Sequence, residues 1–129
     1  MKLGYTIIYV NDVLATVDFY QRAFSLNLKF LHESNQYGEM ETGETILAFA
    51  SENLAHMNEL QIRPNRAHQT SSGFELGFVT NDVDEAFKIA ITEGAKLISP
   101  PAKKPWGQIV AYVSDMNGVL IEICEPMKS

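Results

Sequence analysis

The sequence predicts an α+β protein made of one β-α-β-β-β unit used twice, and three observations carry that reading. Gly4-Tyr5-Thr6-Ile7-Ile8-Tyr9-Val10-Asn11-Asp12-Val13 lines up with Phe74-Glu75-Leu76-Gly77-Phe78-Val79-Thr80-Asn81-Asp82-Val83, and both end in Asn-Asp-Val. Each copy then runs into a stretch whose apolar residues recur at helical spacing. Each continues as a pair of short runs rich in β-branched and aromatic residues, split by turn residues. Self-similarity at this scale sets the architecture before any single element is weighed.

The opening strands end at Asp12 and Asp82, which are placed to accept free backbone N–H groups at a helix start, and Glu85 three residues on gives the second copy a capping box. The first helix is expected over Val13 to Phe24, where Val13, Val17, Tyr20 and Phe24 form one apolar stripe. The second is expected over Val83 to Glu93, with Val83, Phe87, Ala90 and Ile91 inward and Gly94 as the C-terminal cap. Strands follow at Leu26 to Leu31 and Ala95 to Ile98. Then come strand pairs, Tyr37 to Thr42 with Thr45 to Ala50, and Gln108 to Val113 with Val119 to Cys124. Asn117-Gly118 supplies left-handed dihedrals for the last reversal. The first unit covers 1–50 and the second 73–126. Between them 51–72 opens with a short surface helix and continues as a polar loop, either a mobile linker or a spacer that lets the units pair across a dimer.

Composition narrows the function. The chain has 129 residues, 46% hydrophobic and 20% charged, as one globular domain would. A formal net charge of -6 with no Lys/Arg stripe argues against nucleic acid and for small molecules. The single cysteine, Cys124, rules out an internal disulfide and fits a cytoplasmic location, where it is expected to be a small buried hydrophobe. No stretch approaches the length that spans a bilayer, so no membrane partner is expected, and the apolar run from Leu3 to Val10 reads as a strand rather than a secretion signal.

One residue stands out on these grounds alone. In the last strand Val119, Ile121 and Ile123 share one face, while Leu120, Glu122 and Cys124 share the other. A carboxylate in an otherwise apolar strand is costly unless it is paired, solvated or bound, so Glu122 is expected to face a cavity that holds something.

Phe19-Tyr20 in the first helix, Gly94-Ala95-Lys96-Leu97 after the second, and the final Asp115-Met116-Asn117-Gly118-Val119-Leu120-Ile121-Glu122-Ile123 give the whole chain a resemblance to the vicinal oxygen chelate superfamily. This is the group of glyoxalase I, bleomycin-resistance proteins, fosfomycin-resistance proteins and extradiol dioxygenases. The resemblance implies a single domain over 1–129 whose two units form a curved, mostly antiparallel sheet around a cleft, the glyoxalase/bleomycin-resistance fold. With the repeat and the long connecting segment it also points to a homodimer.

In glyoxalase-like members one residue from the first strand and one from the last strand of each unit meet at a divalent metal. Carried onto this chain the four places are Tyr5, Ala48, Glu75 and Glu122. Only Glu122 keeps the usual residue, Glu75 offers another oxygen donor, Ala48 offers none, and Tyr5 is a poor ligand as a neutral phenol. Two carboxylates hold at most a weak hard cation such as Mg2+ or Mn2+, so the expected cofactor is none or a weakly bound divalent ion. A competent glyoxalase I is not expected. His32, His56 and His68 have no ligand spacing and read as surface or capping residues.

Other residues complete the expected site. Trp106 sits where bleomycin-resistance-like members carry an aromatic ligand wall, or else is a packing residue at a strand edge. Tyr37, Glu39, Gln108, Val110 and Tyr112 have the strand parity of a cavity face, although Glu39 and Glu41 also fit a solvated amphipathic strand. An acidic pocket with Tyr5, Trp106 and Tyr112 suits a flat or cationic ligand. Glu75 and Glu122 are alternatively a general acid/base pair, or are satisfied internally by Lys103, Lys104, Arg22 or a tyrosine hydroxyl. The expectation is therefore a small-molecule-binding protein, with a lyase/isomerase or dioxygenase-like enzyme using Glu75 and Glu122 as the alternative.

Overall fold

In both halves of the computed structural model, which describes residues 1–127, a strand runs into an aspartate that starts a helix. The Asp12 carboxylate accepts from the Ala15 N–H at 3.0 Å and the Asp82 carboxylate from the Glu85 N–H at 3.1 Å. The chain divides into two compact units, Met1–Asn65 and a second that begins at Arg66. The first contains β1 (Tyr5–Val10), α1 (Val13–Phe24), β2 (Asn27–Leu31), β3 (Tyr37–Glu41), β4 (Ile46–Ser51) and a short α2 (Glu52–Met57). The second contains β5 (Glu75–Val79), α3 (Val83–Thr92), β6 (Lys96–Lys103), β7 (Ile109–Ser114) and β8 (Leu120–Cys124). The α+β class and the doubled β-α-β-β-β unit are as expected, and the strands hydrogen-bond as two four-stranded sheets, β1-β4-β3-β2 and β5-β8-β7-β6. In each, only the pair formed by the unit's first and last strands is parallel.

Alternation along the strands gives each sheet two different faces. In the first unit Ile8, Val10, Met40, Leu47 and Phe49 are buried on the face that α1 covers, against Val13, Thr16, Val17, Phe19, Tyr20 and Ala23. Tyr20 and Phe49 are both fully buried, with ring centroids 4.6 Å apart. A side chain of this kind contributes about 1.5–3 kcal/mol by leaving water. Phe24, expected on the stripe, is only half-buried, because Phe19 and Ala23 occupy the inner face. In the second unit Val113, Ile121 and Ile123 are buried on the α3 side, with Val83 and Ala90.

The helix ends show the same problem solved by different residues. After α3, Gly94 takes φ 110°; its N–H reaches the Ile91 carbonyl at 3.1 Å and the Ala95 N–H reaches that of Ala90 at 2.9 Å. After α1, Ser25 makes the left-handed turn at φ 55°.

Three details differ from the sequence reading. β6 runs on to Lys103 through Pro100 and Pro101, which look like breakers. It is an edge strand with register shifts, where a missing N–H removes no ladder bond. In the β7–β8 turn only Gly118, at φ 84°, is left-handed; Asn117 is not. The buried Asp115 carboxylate organises that turn by accepting from the N–H groups of Asn117 and Val119. Finally, the connecting segment is divided between the units: Asn65 Nδ2 donates to the Tyr9 carbonyl at 3.1 Å, and Ser71 Oγ donates to that of Gly118 at 2.6 Å.

Gly118 is fixed by space as well as by φ, since a Cβ there would collide with the Arg66 carbonyl, whereas Gly43, at φ 89°, has open space around it. Gly43→Ala is expected to cost about 1 kcal/mol of stability and Gly118→Ala about 3 kcal/mol. Urea denaturation of both variants reads this directly, and equal losses would show that the Arg66 backbone yields freely.

Candidate functional site

The face of the second sheet opposite α3 carries Glu75 on β5, Glu122 and Cys124 on β8, and Tyr112 on β7. Tyr112 lies directly across from Glu122, and Gly77 pairs with Glu122 on the other side, which puts Glu75 two residues along the neighbouring strand. The Tyr112 hydroxyl donates to Glu122 Oε1 at 2.9 Å. Glu75 and the Cys124 thiol also hydrogen-bond to Glu122, so one carboxylate gathers three side-chain donors.

This arrangement decides where the protons sit. Burial, and then the hydrogen bond and charge of Glu122, hold the Glu75 carboxyl above the usual carboxylate range. Burial pushes Glu122 the same way. The bonds from Glu75, Cys124 and Tyr112, with the Lys104 charge, outweigh it and leave Glu122 below its ordinary value. Burial and the Glu122 carboxylate push Tyr112 up to about 12 and the Cys124 thiol up to about 11. Of the two, Glu75 takes a proton more readily and Glu122 is the more readily ionised. Cys124 is buried, as its strand position implied, and its bond to Glu122 is an addition that parity alone did not give. Of the internal partners considered for the pair, Tyr112 and Lys104 act on it, while Arg22 pairs with Asp18 at 2.8 Å in the first unit.

The donors do not fit a firmly held divalent metal. Of the four places carried over from the resembling family, Ala48 is fully buried and has no donor atom, and Tyr5 offers a phenol. Glu75 holds its proton more tightly than an ordinary carboxyl group, and the oxygens of Glu122 are engaged by three donors. Among the described residues no group of three or more His, Cys, Asp or Glu side chains is placed to hold a metal ion.

The first unit places Tyr5, Tyr37 and Ala48 on the sheet face away from α1, with Glu39 paired directly opposite Ala48. The Tyr37 hydroxyl donates to Glu39 Oε2 at 2.7 Å. Burial, Glu39 and nearby Tyr5 raise the Tyr37 phenol well above its usual value. Glu39 is half-buried and Glu41 exposed, so the solvated reading holds for Glu41 alone. The signal for Glu39 was its parity with Tyr37.

Trp106 and Gln108 form a separate cluster in the second unit. Lys104 to Gly107 make a tight turn, closed by the Gly107 N–H on the Lys104 carbonyl at 2.8 Å, and this leaves Trp106 61% exposed at the β6–β7 connection. Its indole N–H donates to Gln108 Oε1 at 2.7 Å, and Gln108 Nε2 donates to the Glu125 carbonyl at 2.6 Å. A recess of about 60 Å³ lies among Trp106, Gly107, Gln108, Glu125, Pro126 and Met127. Among the described residues no hydrogen bond joins this cluster to the Glu122 network. Val110, given cavity parity with Tyr112, is buried opposite Cys124.

Stability against pH separates the two carboxyls. Glu75 binds its proton more tightly folded than unfolded, so its contribution is complete below the unfolded pKa and is lost as pH rises through the raised folded value. Glu122 does the reverse, contributing above the unfolded pKa and losing that contribution on acidification. Gln at position 75 cannot titrate, so Glu75→Gln is expected to gain on the wild type as pH is raised from about 4 to about 8. Urea midpoints across that range test this, and a constant difference between the two proteins would place the proton elsewhere.

The glyoxalase-like domain family matches residues 3–128 of the chain. An uncharacterised protein of Bacillus subtilis (strain 168), YraH, is 28% identical over 124 residues, which span 95% of this chain and 97% of YraH. Among solved structures, a glyoxalase-related enzyme from Fulvimarina pelagi has a TM-score of 0.83 at 18% identity, covering 97% of this chain and 88% of its own. A glyoxalase/bleomycin resistance protein/dioxygenase family enzyme from Burkholderia phytofirmans PsJN has a TM-score of 0.79 at 24% identity, covering 97% and 98%. At those identities the two structures speak to the fold alone. The family match over nearly the full length, with the doubled β-α-β-β-β unit, places the chain in the glyoxalase-like domain family of the vicinal oxygen chelate superfamily.

Proposed function

We propose that this protein binds a small organic molecule, aromatic or cationic, without a strongly held metal. The observation that carries the reading is the Glu122 network: a carboxylate steadied by Tyr112 at 2.9 Å and hydrogen-bonded with Glu75, on a sheet face that no helix of its unit covers. Such a group attracts a cation or a hydrogen-bond donor, and it lacks the several free oxygens that a divalent ion takes. The ligand-binding residues in this reading are Tyr5, Tyr37 and Ala48 on the first unit, and Trp106, Gln108 and Tyr112, with Glu75 and Glu122, on the second. Sequestering a ligand needs affinity but no transition-state chemistry, so metal positions can change without loss of such a function.

A second reading is favoured by the same pair. Glu75, pushed above the usual carboxylate range, beside Glu122, held below it, offers an acid and a base at one place, which suits proton transfer in a lyase or isomerase reaction on a small substrate. Glu122 would take the proton, Glu75 would give one, and the Tyr112 hydroxyl would hold Glu122 in position. Any divalent ion here would be weakly held.

The protein is further proposed to act in the cytoplasm as a homodimer, because each four-stranded sheet ends in edge strands that natural proteins cover or pair. Among the described residues no helix is long and apolar enough to cross a membrane. Sedimentation equilibrium at micromolar concentration should give twice the chain mass, and a strict monomer would end the dimer.

Titration with a panel of cationic aromatic compounds should change tryptophan emission, and Trp106→Ala should weaken binding by about 1 kcal/mol, since the ring is largely exposed. Calorimetry with Mn2+ or Zn2+ should show no stoichiometric binding. Mass spectrometry of the recovered ligand decides between the readings: unchanged ligand supports binding, and conversion abolished by Glu122→Gln supports the enzyme. Silence across the whole panel, in both emission and thermal stability, would overturn the binding reading.

A further inference from the structure

The sheet face of the first unit holds a carboxylate whose surroundings differ from those of Glu122. Across that sheet one row runs Ile7 on β1, Ala48 on β4, Glu39 on β3 and Phe30 on β2, each paired with the next. Ala48 contributes only a methyl group to the middle of the row, while Ile7 and Phe30 are 44% and 46% exposed. Next along β3 on the same face stands Tyr37, whose ring centroid lies 6.4 Å from that of Phe30 with the planes tilted by 54°. Tyr5, 53% exposed, is close enough to act on the Tyr37 hydroxyl. Glu39 is therefore a half-buried carboxylate among three aromatic rings.

Its charge is left over. Glu122 receives three donors and feels Lys104, whereas Glu39 receives a single hydrogen bond, from Tyr37 at 2.7 Å on Oε2. Among the described residues Glu39 takes part in no ion pair. A partly desolvated carboxylate with one neutral donor is unfavourable by itself and gains most from a positive group that also fits an apolar, aromatic wall. A divalent metal is a poor match, because it needs several oxygen donors and this row has one carboxylate. A compact inorganic monocation would gain little from the rings. A substituted ammonium uses both features, its charge on the carboxylate and its apolar surface on the π faces.

We propose that Glu39 is the counter-charge for an organic monocation, a substituted ammonium group carried on an apolar or aromatic body and held against Tyr37, Phe30 and Tyr5. The inference rests on the small-molecule-binding reading and gives that ligand its charge and its anchor. Glu39 is a specificity-determining residue in this account: it selects cationic over neutral ligands of the same shape. Tyr37 positions it by fixing one oxygen and leaving the other open to the ligand.

The test uses the full-length protein and benzyltrimethylammonium, with benzyl alcohol as the neutral control, followed by calorimetry and by backbone amide shifts in solution. The cation is expected to bind at least fivefold more tightly than the alcohol, with shifts concentrated at residues 5, 30, 37 and 39. Glu39→Gln keeps the acceptor for Tyr37 and is expected to weaken the cation at least tenfold while leaving the alcohol within twofold. Glu122→Gln, titrated beside it, is expected to lose clearly less cation affinity than Glu39→Gln. Glu39→Asp, which retains charge, guards against misfolding of the glutamine variant and should preserve preference for the cation. If the cation binds but depends on Glu122 instead of Glu39, the inference fails and the small-molecule reading stands. Equal binding of the cation and the alcohol also overturns the inference, again leaving that reading intact. No binding of benzyltrimethylammonium at millimolar concentration overturns the inference outright.

Discussion

One helix laid across one face of each sheet decides which residues are left for chemistry. Because side chains alternate along a strand, covering one face with α1 fixes Ile8, Val10, Met40, Leu47 and Phe49 as core. The same step commits Tyr5, Ile7, Tyr37, Glu39 and Ala48 to the opposite side. α3 does the same for the second sheet, taking Val113, Ile121 and Ile123 and leaving Glu75, Tyr112 and Glu122. The aspartate caps matter for this reason: they set where each helix begins, and so which of its residues meet the sheet. A register slip of one residue in β8 would bury Glu122 against α3 and turn Ile121 and Ile123 outward, a loss that no local rearrangement could offset.

The two units use the same frame with different contents. Their registers put Tyr5 in the place of Glu75, Ala48 in that of Glu122, and Glu39 in that of Tyr112. Each unit thus has a tyrosine-to-glutamate hydrogen bond on its open face, but the carboxylate moves from the last strand in the second unit to the neighbouring strand in the first. In the second unit the bond crosses between strands and joins a network with Glu75 and Cys124. In the first it runs along one strand and ends there. The same chemical pair therefore has a satisfied form and an unsatisfied form within one chain.

Much of this was legible in the sequence because it follows from local rules. The Asn-Asp-Val repeats gave both helix starts, and parity alone placed Glu122 with Tyr112 and Glu39 with Tyr37. What was not legible depends on contacts between residues far apart in the chain, or on position within a sheet. The length of β6 follows from its being an edge strand, which excuses Pro100 and Pro101. The need for glycine at 118 comes from the Arg66 carbonyl, far away in sequence. The burial of Glu39 differs from that of Glu41 through the neighbours of each, which a count of polar residues on β3 cannot register. Trp106 and Gln108 were read as cavity walls from their place before β7. What that place did not show is the turn at Lys104 to Gly107, with the hydrogen bonds that tie them to each other and to Glu125.

The poor fit of a firmly held metal in the second unit follows from counting donors. Two carboxyl groups this close raise the proton affinity of one of them, a cost that a metal ion, an external cation or a proton relieves. A metal ion needs a third and fourth strong donor to offset its lost water, and among the described residues no group of three or more His, Cys, Asp or Glu side chains is placed to supply them. It would also have to displace the bonds that Glu122 already receives from Tyr112, Cys124 and Glu75, and would leave those donors unsatisfied in a partly desolvated place. A proton on Glu75 needs no further ligands and becomes one of those bonds. Once it is there, the pair carries a single charge and its donors are matched.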